Sequence, residues 1–356
     1  KASTFWYHPH LMGSTAEQVY SGLAGLIIIE DEESSQLNLP NEYGVDDIPL
    51  VLQDRTFTQD YQIPFDFEDT HFLRRGNAMV VNGAITPNYE APAQMVRFRV
   101  LNGSNGRRFY LGFSDGRDFY QIGSDGGLLE APEIMKRKSL APGERIEIIV
   151  DFSDGTPVDL MSFSSELMPS LQESDLDDER DSADFLLMNI AVGEATANAV
   201  TSVPAQLATI ERLNEADSVK TRNFALSFPE NLPGNAFAAI NGHAMDINIF
   251  SEIIRLGDTE IWEISAPGNP ESHPFHIHDV QFEILSRHFT DDPHTAIPLQ
   301  PGESGLKDTV EIVKGQTVRV IMKFEDFADP DHGYMYHCHL LSHEDGGMMS
   351  QFIVIE

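Results

Sequence analysis

The chain's one cysteine, Cys338, lies in the segment MYHCHLLSHEDGGMM, between His337 and His339 and ahead of His343 and Met348. Two other short segments concentrate histidine: HPH, with His8 and His10, and HPFHIH, with His273, His276 and His278. The spacing carries the chemistry. In an extended strand, residues i and i+2 face the same way, ~6.6 Å apart at ~3.3 Å per residue. His8 with His10, His276 with His278, and His337 with His339 can therefore each aim two rings at one place. Cys338 must point away from both of its neighbours. Its thiolate can then hold one metal while the flanking imidazoles hold others, and an electron entering at sulfur has a covalent path to the second site.

A soft thiolate, two imidazoles and a weak axial thioether make a blue-copper centre. Cys338, His343 and Met348 supply three of these groups, and His273, expected from a neighbouring strand, is the natural fourth. The methionine is expected to give a lower potential than an apolar axial residue would. His8, His10, His276, His278, His337 and His339 remain as an all-imidazole set, which suits copper and is also acceptable to zinc. His71, His243, His288, His294 and His332 fall outside the clusters and read as structural or surface residues.

The elements that must position these groups read as strands. In MVRFRVLNG (95–103), Val96, Phe98 and Val100 alternate with Arg97 and Arg99. In TVRVIMKF (317–324), Val318, Val320, Met322 and Phe324 share a face, and RIEIIVDF (145–152) behaves similarly. LAGLIII (23–29) is short enough to be a buried strand. Turn pairs punctuate the runs at Asn82-Gly83, Asn102-Gly103, Asp125-Gly126, Asp154-Gly155 and Asn241-Gly242. Many short strands with such turns imply β-sandwiches or barrels. Residues 78–104 and 236–268 form a weak repeat. Each has a strand ending in Asn-Gly, an intervening segment and an amphipathic strand, as expected of two copies of one β domain. The second copy leads into HPFHIH. The first leads into NGRRFYLGF, without histidine, so the middle domain is expected to be metal-free. The division expected is a partial domain over 1–45, a middle domain over 46–190, a linker with a short helical turn over 191–220, and a last domain over 221–356. Residues 170–184 read as an acidic loop.

A net charge of −34, from 57 acidic and 23 basic side chains, argues against nucleic acid and anionic membranes as partners. No apolar run reaches the ~18 residues of a membrane helix. One cysteine allows no disulfide within the chain. The opening KASTFWYHPH shows no signal peptide and reads as strand sequence from inside a domain, so any targeting segment would lie upstream.

WYHPH, HPFHIH and HCHLLSHEDGGMM, with GLAGLIIIED (22–31), SDGGLL (124–129) and LKDTV (306–310), resemble the copper signatures of the multicopper oxidases, closest to the bacterial copper-efflux and laccase-like branch. The resemblance runs over essentially the whole chain. It implies tandem cupredoxin-like, Greek-key domains in an all-β fold, and four coppers in a complete protein. By motif position it implies His273, Cys338, His343 and Met348 as type 1 ligands, and His276 as a type 2 ligand. His8, His10, His278, His337 and His339 become type 3 ligands, and Glu344 a proton relay. Asp308, in KDTV, recurs in the family, with a structural use at least as well founded as a functional one. The implied reaction takes single electrons from a donor at the copper held by Cys338. It passes them to the three-copper cluster and reduces O2 to water with four electrons and four protons. O2 and a reducing substrate are thus the expected partners, and the periplasm or cell exterior the expected location.

Two departures from the family pattern matter. The His-X-His-Gly motif of the first domain is absent from the 356 residues, which leaves six cluster histidines where eight are needed. A further segment bearing His-X-His is therefore expected. The methionine-rich insertion of copper-efflux members is also absent, and NPES (269–272) precedes His273 with no methionine. This weighs against cuprous oxidase activity and towards phenolic or other organic donors. A copper nitrite reductase would share the blue site without a His-Cys-His strand and a third histidine pair. A non-catalytic copper-binding cupredoxin protein is the alternative of a different class, and copper counting separates the two.

Overall fold

In the computed structural model, which describes residues 1–65, 75–167, 182–268 and 271–356, strands dominate. Residues 170–181 of the acidic stretch, His71, and the first two residues of NPES lie outside the described residues. Apolar residues at every second strand position bury one face of each sheet, and two large cores result. One, with Phe98, Phe113, Ile148 and Leu160, is built from a seven-stranded and a five-stranded sheet. The other, with Trp262, Phe275, Val320 and Phe352, is built from a six-stranded and a five-stranded sheet.

The weak sequence repeat corresponds to a repeated topology. Strand Met95–Asn102 lies parallel to Asp47–Arg55 and antiparallel to Arg145–Asp151. Strand Thr259–Ser265 lies parallel to Ser218–Ser227 and antiparallel to Gln316–Lys323. In the opposing sheets, Asn88–Ala91 runs parallel to Asp184–Val192, as Glu252–Arg255 does to Met349–Ile355. Asn82-Gly83 and Asn241-Gly242 both take positive φ, at 51° and 81° and at 52° and 78°. This is the backbone that a two-residue hairpin turn requires. Asn102 instead ends a strand, its side-chain amide donating to the Arg107 and Leu140 carbonyls.

The structure corrects the sequence reading at LAGLIII and adds two details to it elsewhere. LAGLIII is not a buried strand. Gly25–Ile29 pairs only with Ser3–Tyr7 in a two-stranded ribbon, and Ile27 and Ile29 remain 46% and 40% exposed, because no further sheet layer covers that face among the described residues. The arginine face of Met95–Asn102 is not a solvent face. Arg97 and Arg99 are buried under the ribbon because their charges are matched. Arg97 pairs with Glu147. Arg99 pairs with Asp47 at 2.8 Å and with Glu147 at 3.1 Å, and Thr4 Oγ1 donates to Glu147 at 2.7 Å. The segment 191–220 is irregular only in its middle. Strand Asp184–Val192 runs into its start and Ser218–Ser227 begins before its end, while Val200 and Leu207 anchor it in a small core and Glu215–Asp217 forms one 3₁₀ turn.

Candidate metal centre

Strand His273–Ile277 pairs antiparallel with Asp329–Cys338, and the register sets His276 opposite His337 and Phe275 opposite Cys338. The pleat then sorts the side chains. Phe275, Ile277, Tyr336 and Cys338 belong to the apolar core, while His276 and His337 turn to the other face with ring centroids 5.4 Å apart. Past the strand end, His339 N–H donates to the Pro274 carbonyl at 2.7 Å and so stays in register. The short helix Leu341–Asp345 follows, and a turn closed by Met348 N–H on the His343 carbonyl returns Met348 beside Cys338, whose N–H donates to the Met348 carbonyl.

On the core side, Cys338 Sγ lies 3.5 Å from His273 Nδ1 and 3.8 Å from His343 Nδ1. The three ligand atoms lie within 4.8 Å of one another, and Met348 is fully buried. Burial pushes the Cys338 thiol well above its ordinary pKa. It lowers His343 to about 3, with Arg108 adding to the effect, and His273 is likewise driven down. Both imidazoles are therefore neutral, with ring nitrogens facing a sulfur that ionises in this surrounding only beside a cation.

On the other face, six rings gather from two strands and the segments that follow three strand ends. His10 Nε2 and His278 Nε2 each lie 3.2 Å from His337 Nε2, which makes these three a convergent group. His8 and His339 stand together with centroids 5.4 Å apart, and His276 sits 5.8 Å from His339. Oxygen atoms orient the rings through Nδ1: the Pro9 carbonyl for His8, the Asp308 carbonyl for His276, and the Cys338 carbonyl for His337, at 2.9, 2.9 and 3.0 Å. Each of these rings thereby presents Nε2 to the shared space. Burial lowers His8 to about 4 and His337 to about 3, and drives His278 and His339 down as well.

Glu344 is buried with its carboxylate against the rings, 3.1 Å from His337 Nδ1 and 3.5 Å from His10 Nδ1. Burial raises its pKa, with His10 and His8 opposing. Asp308 carries both a structural and a site contact. It accepts from Arg145 at 2.7 and 2.6 Å, and its Oδ1 lies 3.4 Å from His276 Nδ1. An open cavity of about 890 Å³, lined by Trp6, His8, His10, Arg145, His276 and His278 among others, lies beside the rings.

His273, Cys338 and His343 thus stand together on one face and the six other expected histidines gather on the other, while Met348 is buried with its backbone bonded to that of Cys338. Three neighbours escaped the sequence reading. Trp6 packs on His8 and His339 at 4.3 and 5.3 Å. Its i, i+2 spacing to His8, one residue past the end of its strand, could have flagged it. Glu271 lies 3.4 Å from His343 Nε2, and Phe228 stands edge-on to His343 at 5.0 Å. No motif marks those two, because loops bring them in.

Comparisons with known proteins agree with this geometry. Family models described as multicopper oxidase match residues 1–34 and 207–356. The chain is 32% identical to the multicopper oxidase mco of Staphylococcus haemolyticus, over 99% of this chain and 68% of that protein. It is 33% identical to the cell division protein FtsP of Dickeya dadantii, over 99% and 70%. It superposes on the solved structure of the laccase-like multicopper oxidase CueO from Ochrobactrum sp. with a TM-score of 0.84 at 37% identity, covering 99% of this chain and 77% of that one. Fold, paired clusters and similarity converge, and the chain belongs to the multicopper oxidases, copper enzymes that pass electrons from a reducing substrate to O2.

Proposed function

We propose that the chain carries the electron-entry site and most of the oxygen-reducing site of a laccase-like oxidase acting on phenolic or other organic donors. The observation that carries this reading is the back-to-back placement of Cys338 and its flanking histidines, one face bearing a buried thiolate site and the other six rings. The donor set fits copper. One soft sulfur with two neutral imidazoles suits a type 1 ion held by His273, Cys338, His343 and Met348. His339 Nδ1, buried without a hydrogen-bond partner among the described residues, is what an imidazole awaiting an ion leaves. On the ring face we assign His10, His278 and His337 to one type 3 ion, His8 and His339 to the other, and His276 to the type 2 ion. Two of these sets are each short of a ring. The two further imidazoles would come from a His-X-His segment beyond the 356 residues.

Bound copper supplies one-electron redox chemistry and, at the three-ion cluster, the means to reduce O2. The chain's own residues supply the rest. Burial disfavours the charged form of His273 and His343 and keeps water away from the sulfur. The carbonyls of Pro9, Asp308 and Cys338 fix ring orientation. Glu344, its pKa raised by burial and its carboxylate touching two rings, is placed to relay protons towards the cluster. We divide the chain into the end of a first domain (1–45), a metal-free middle domain (46–190), a linker (191–220) and a last domain bearing the type 1 site (221–356). No helix among the described residues is long and apolar enough to cross a membrane. We place the protein in the periplasm or outside the cell, where a sole thiol committed to metal needs no reducing surroundings.

A non-catalytic role is the rival, because similarity of this degree also reaches a protein named for cell division. The ten expected ligand residues that this chain retains favour the oxidase. Titration with Cu(II) should give an intense blue thiolate-to-copper absorption that Cys338→Ser abolishes. A copper-saturated chain without that band would sink the reading.

A further inference from the structure

Arg108 stands one residue ahead of strand Phe109–Phe113, in the β unit that supplies none of the expected ligands, yet its guanidinium reaches across to the unit that holds Cys338. Its Nη2 donates at 2.6 Å to the Ser272 carbonyl, the peptide oxygen directly before His273. Its Nε and Nη2 also donate to the two carboxylate oxygens of Glu311, at 2.9 and 2.8 Å. Glu311 lies on strand Thr309–Ile312, which pairs with the start of His273–Ile277 and sets Ile312 opposite His273. Only 3% of the arginine side chain and 12% of the glutamate side chain are exposed. The two-pronged contact fixes both charges in place, and their burial leaves little water or salt to screen them.

The core-side cluster responds to Arg108 at each of its three residues. Burial dominates all three. Arg108 adds to the lowering of His343 and of His273, and it draws the Cys338 thiol down more strongly than Glu311 and Glu271 push it up. Reduction removes one positive charge from a copper held there, so a fixed cation nearby favours the reduced form and a fixed carboxylate the oxidised form. We propose that Arg108 raises the reduction potential of the centre held by Cys338 and that Glu311 partly offsets it, so that the β unit without ligands tunes the electron-entry site. The proposal rests on the reading of His273, Cys338, His343 and Met348 as a blue-copper site. Arg108 outweighs its partner because the guanidinium touches the peptide before His273, whereas the carboxylate's bonds run to the guanidinium. Glu271, 3.4 Å from His343 Nε2, opposes Arg108, but at 26% exposure it is screened by solvent.

The test is an anaerobic redox titration of the blue band in the copper-loaded 356-residue chain against the ferricyanide–ferrocyanide couple, one electron passing from each ferrocyanide to one type 1 copper. In Arg108→Gln the equilibrium constant for this transfer should fall roughly tenfold, which is about 59 mV. Glu311→Gln should raise it by roughly threefold, and the double variant should lie between the two. Arg108→Lys, which keeps the charge and loses the fork, should stay within about twofold of the parent. Opposite signs for the two single variants are what a charge effect requires, since loosened packing has no reason to reverse between them. Where Arg108→Gln does not fold, Glu311→Gln decides, and a constant unchanged or lowered in that variant overturns the proposal. Shifts of the same sign in both single variants, or an Arg108→Gln constant within twofold of the parent, overturn it as well while the blue-copper reading stands. Absence of any blue band in the parent overturns both.

Discussion

Arg145 is the residue on which the two large β units and the N-terminal ribbon meet. Its guanidinium is 1% exposed and donates to the Thr4 carbonyl at 3.0 Å, the Gly143 carbonyl at 3.2 Å, the Asp125 carbonyl at 3.1 Å and both oxygens of Asp308. Burial pushes Asp308 up, yet Arg145 outweighs it and holds the carboxyl well below its ordinary range. Arg145→Met keeps the volume and removes the charge. Asp308 is then a buried carboxylate without its principal cation, a loss of about 3–5 kcal/mol. With a urea slope of about 3 kcal/mol per molar, a 4 kcal/mol loss lowers the unfolding midpoint by roughly 1.3 M. Asp308→Asn in the same background removes the stranded charge, so the double variant should be no less stable than Arg145→Met alone. Urea unfolding followed by tryptophan fluorescence and far-ultraviolet circular dichroism reads both. A midpoint for Arg145→Met within 0.3 M (roughly 1 kcal/mol) of the parent, or a double variant that loses the sum of two independent costs, would refute the argument.

Other perturbations have equally definite outcomes. Trp262, fully buried against Phe224 and Tyr336, should cost about 3–5 kcal/mol on truncation to alanine, read as a lowered melting temperature. Gly143 has φ +84°, and a Cβ there would lie 2.6 Å from the His339 ring. Gly143→Ala should therefore weaken copper binding by the ring cluster while leaving the blue band, as counted by equilibrium dialysis and absorbance. Glu303 lies below its ordinary 4.5, because Arg287 outweighs the upward push of burial. A depressed carboxylate contributes stability that is present above about pH 4.5 and lost as pH falls through the folded-state value. Glu303→Gln should accordingly be less stable at pH 7 and lose less between pH 4.5 and 2, whereas identical acid slopes would contradict the pairing. In an enzyme completed by the missing imidazoles, Glu344→Gln should slow O2 consumption by roughly 10²–10⁴-fold, with the bleaching rate by donor unchanged.

The metal chemistry was legible in the sequence because a strand's two-residue period is a local rule. Once HCH and HPFHIH are strands, Cys338 must face away from His337 and His339 whatever the rest of the chain does. The repeat was legible for the same reason, through alternation and Asn-Gly turns. Charge was less legible. Arg97, Arg99 and Arg145 look like the wet side of amphipathic strands, and only the ribbon and the last β unit, arriving with Thr4 and Asp308, bury them as matched pairs. LAGLIII misled in the opposite direction, since apolar character cannot tell a strand whether a second layer will cover it. The neighbours that tune the site, Glu271 and Phe228 on His343 and Trp6 on His8, come from loops and strand ends. Their positions depend on where whole sheets pack. Which way each histidine and the cysteine face is a property of adjacent residues along one backbone, and so the sequence by itself determined it. Which charges are buried and which rings from distant segments stand together depend on contacts between those segments, and only the tertiary structure decided those.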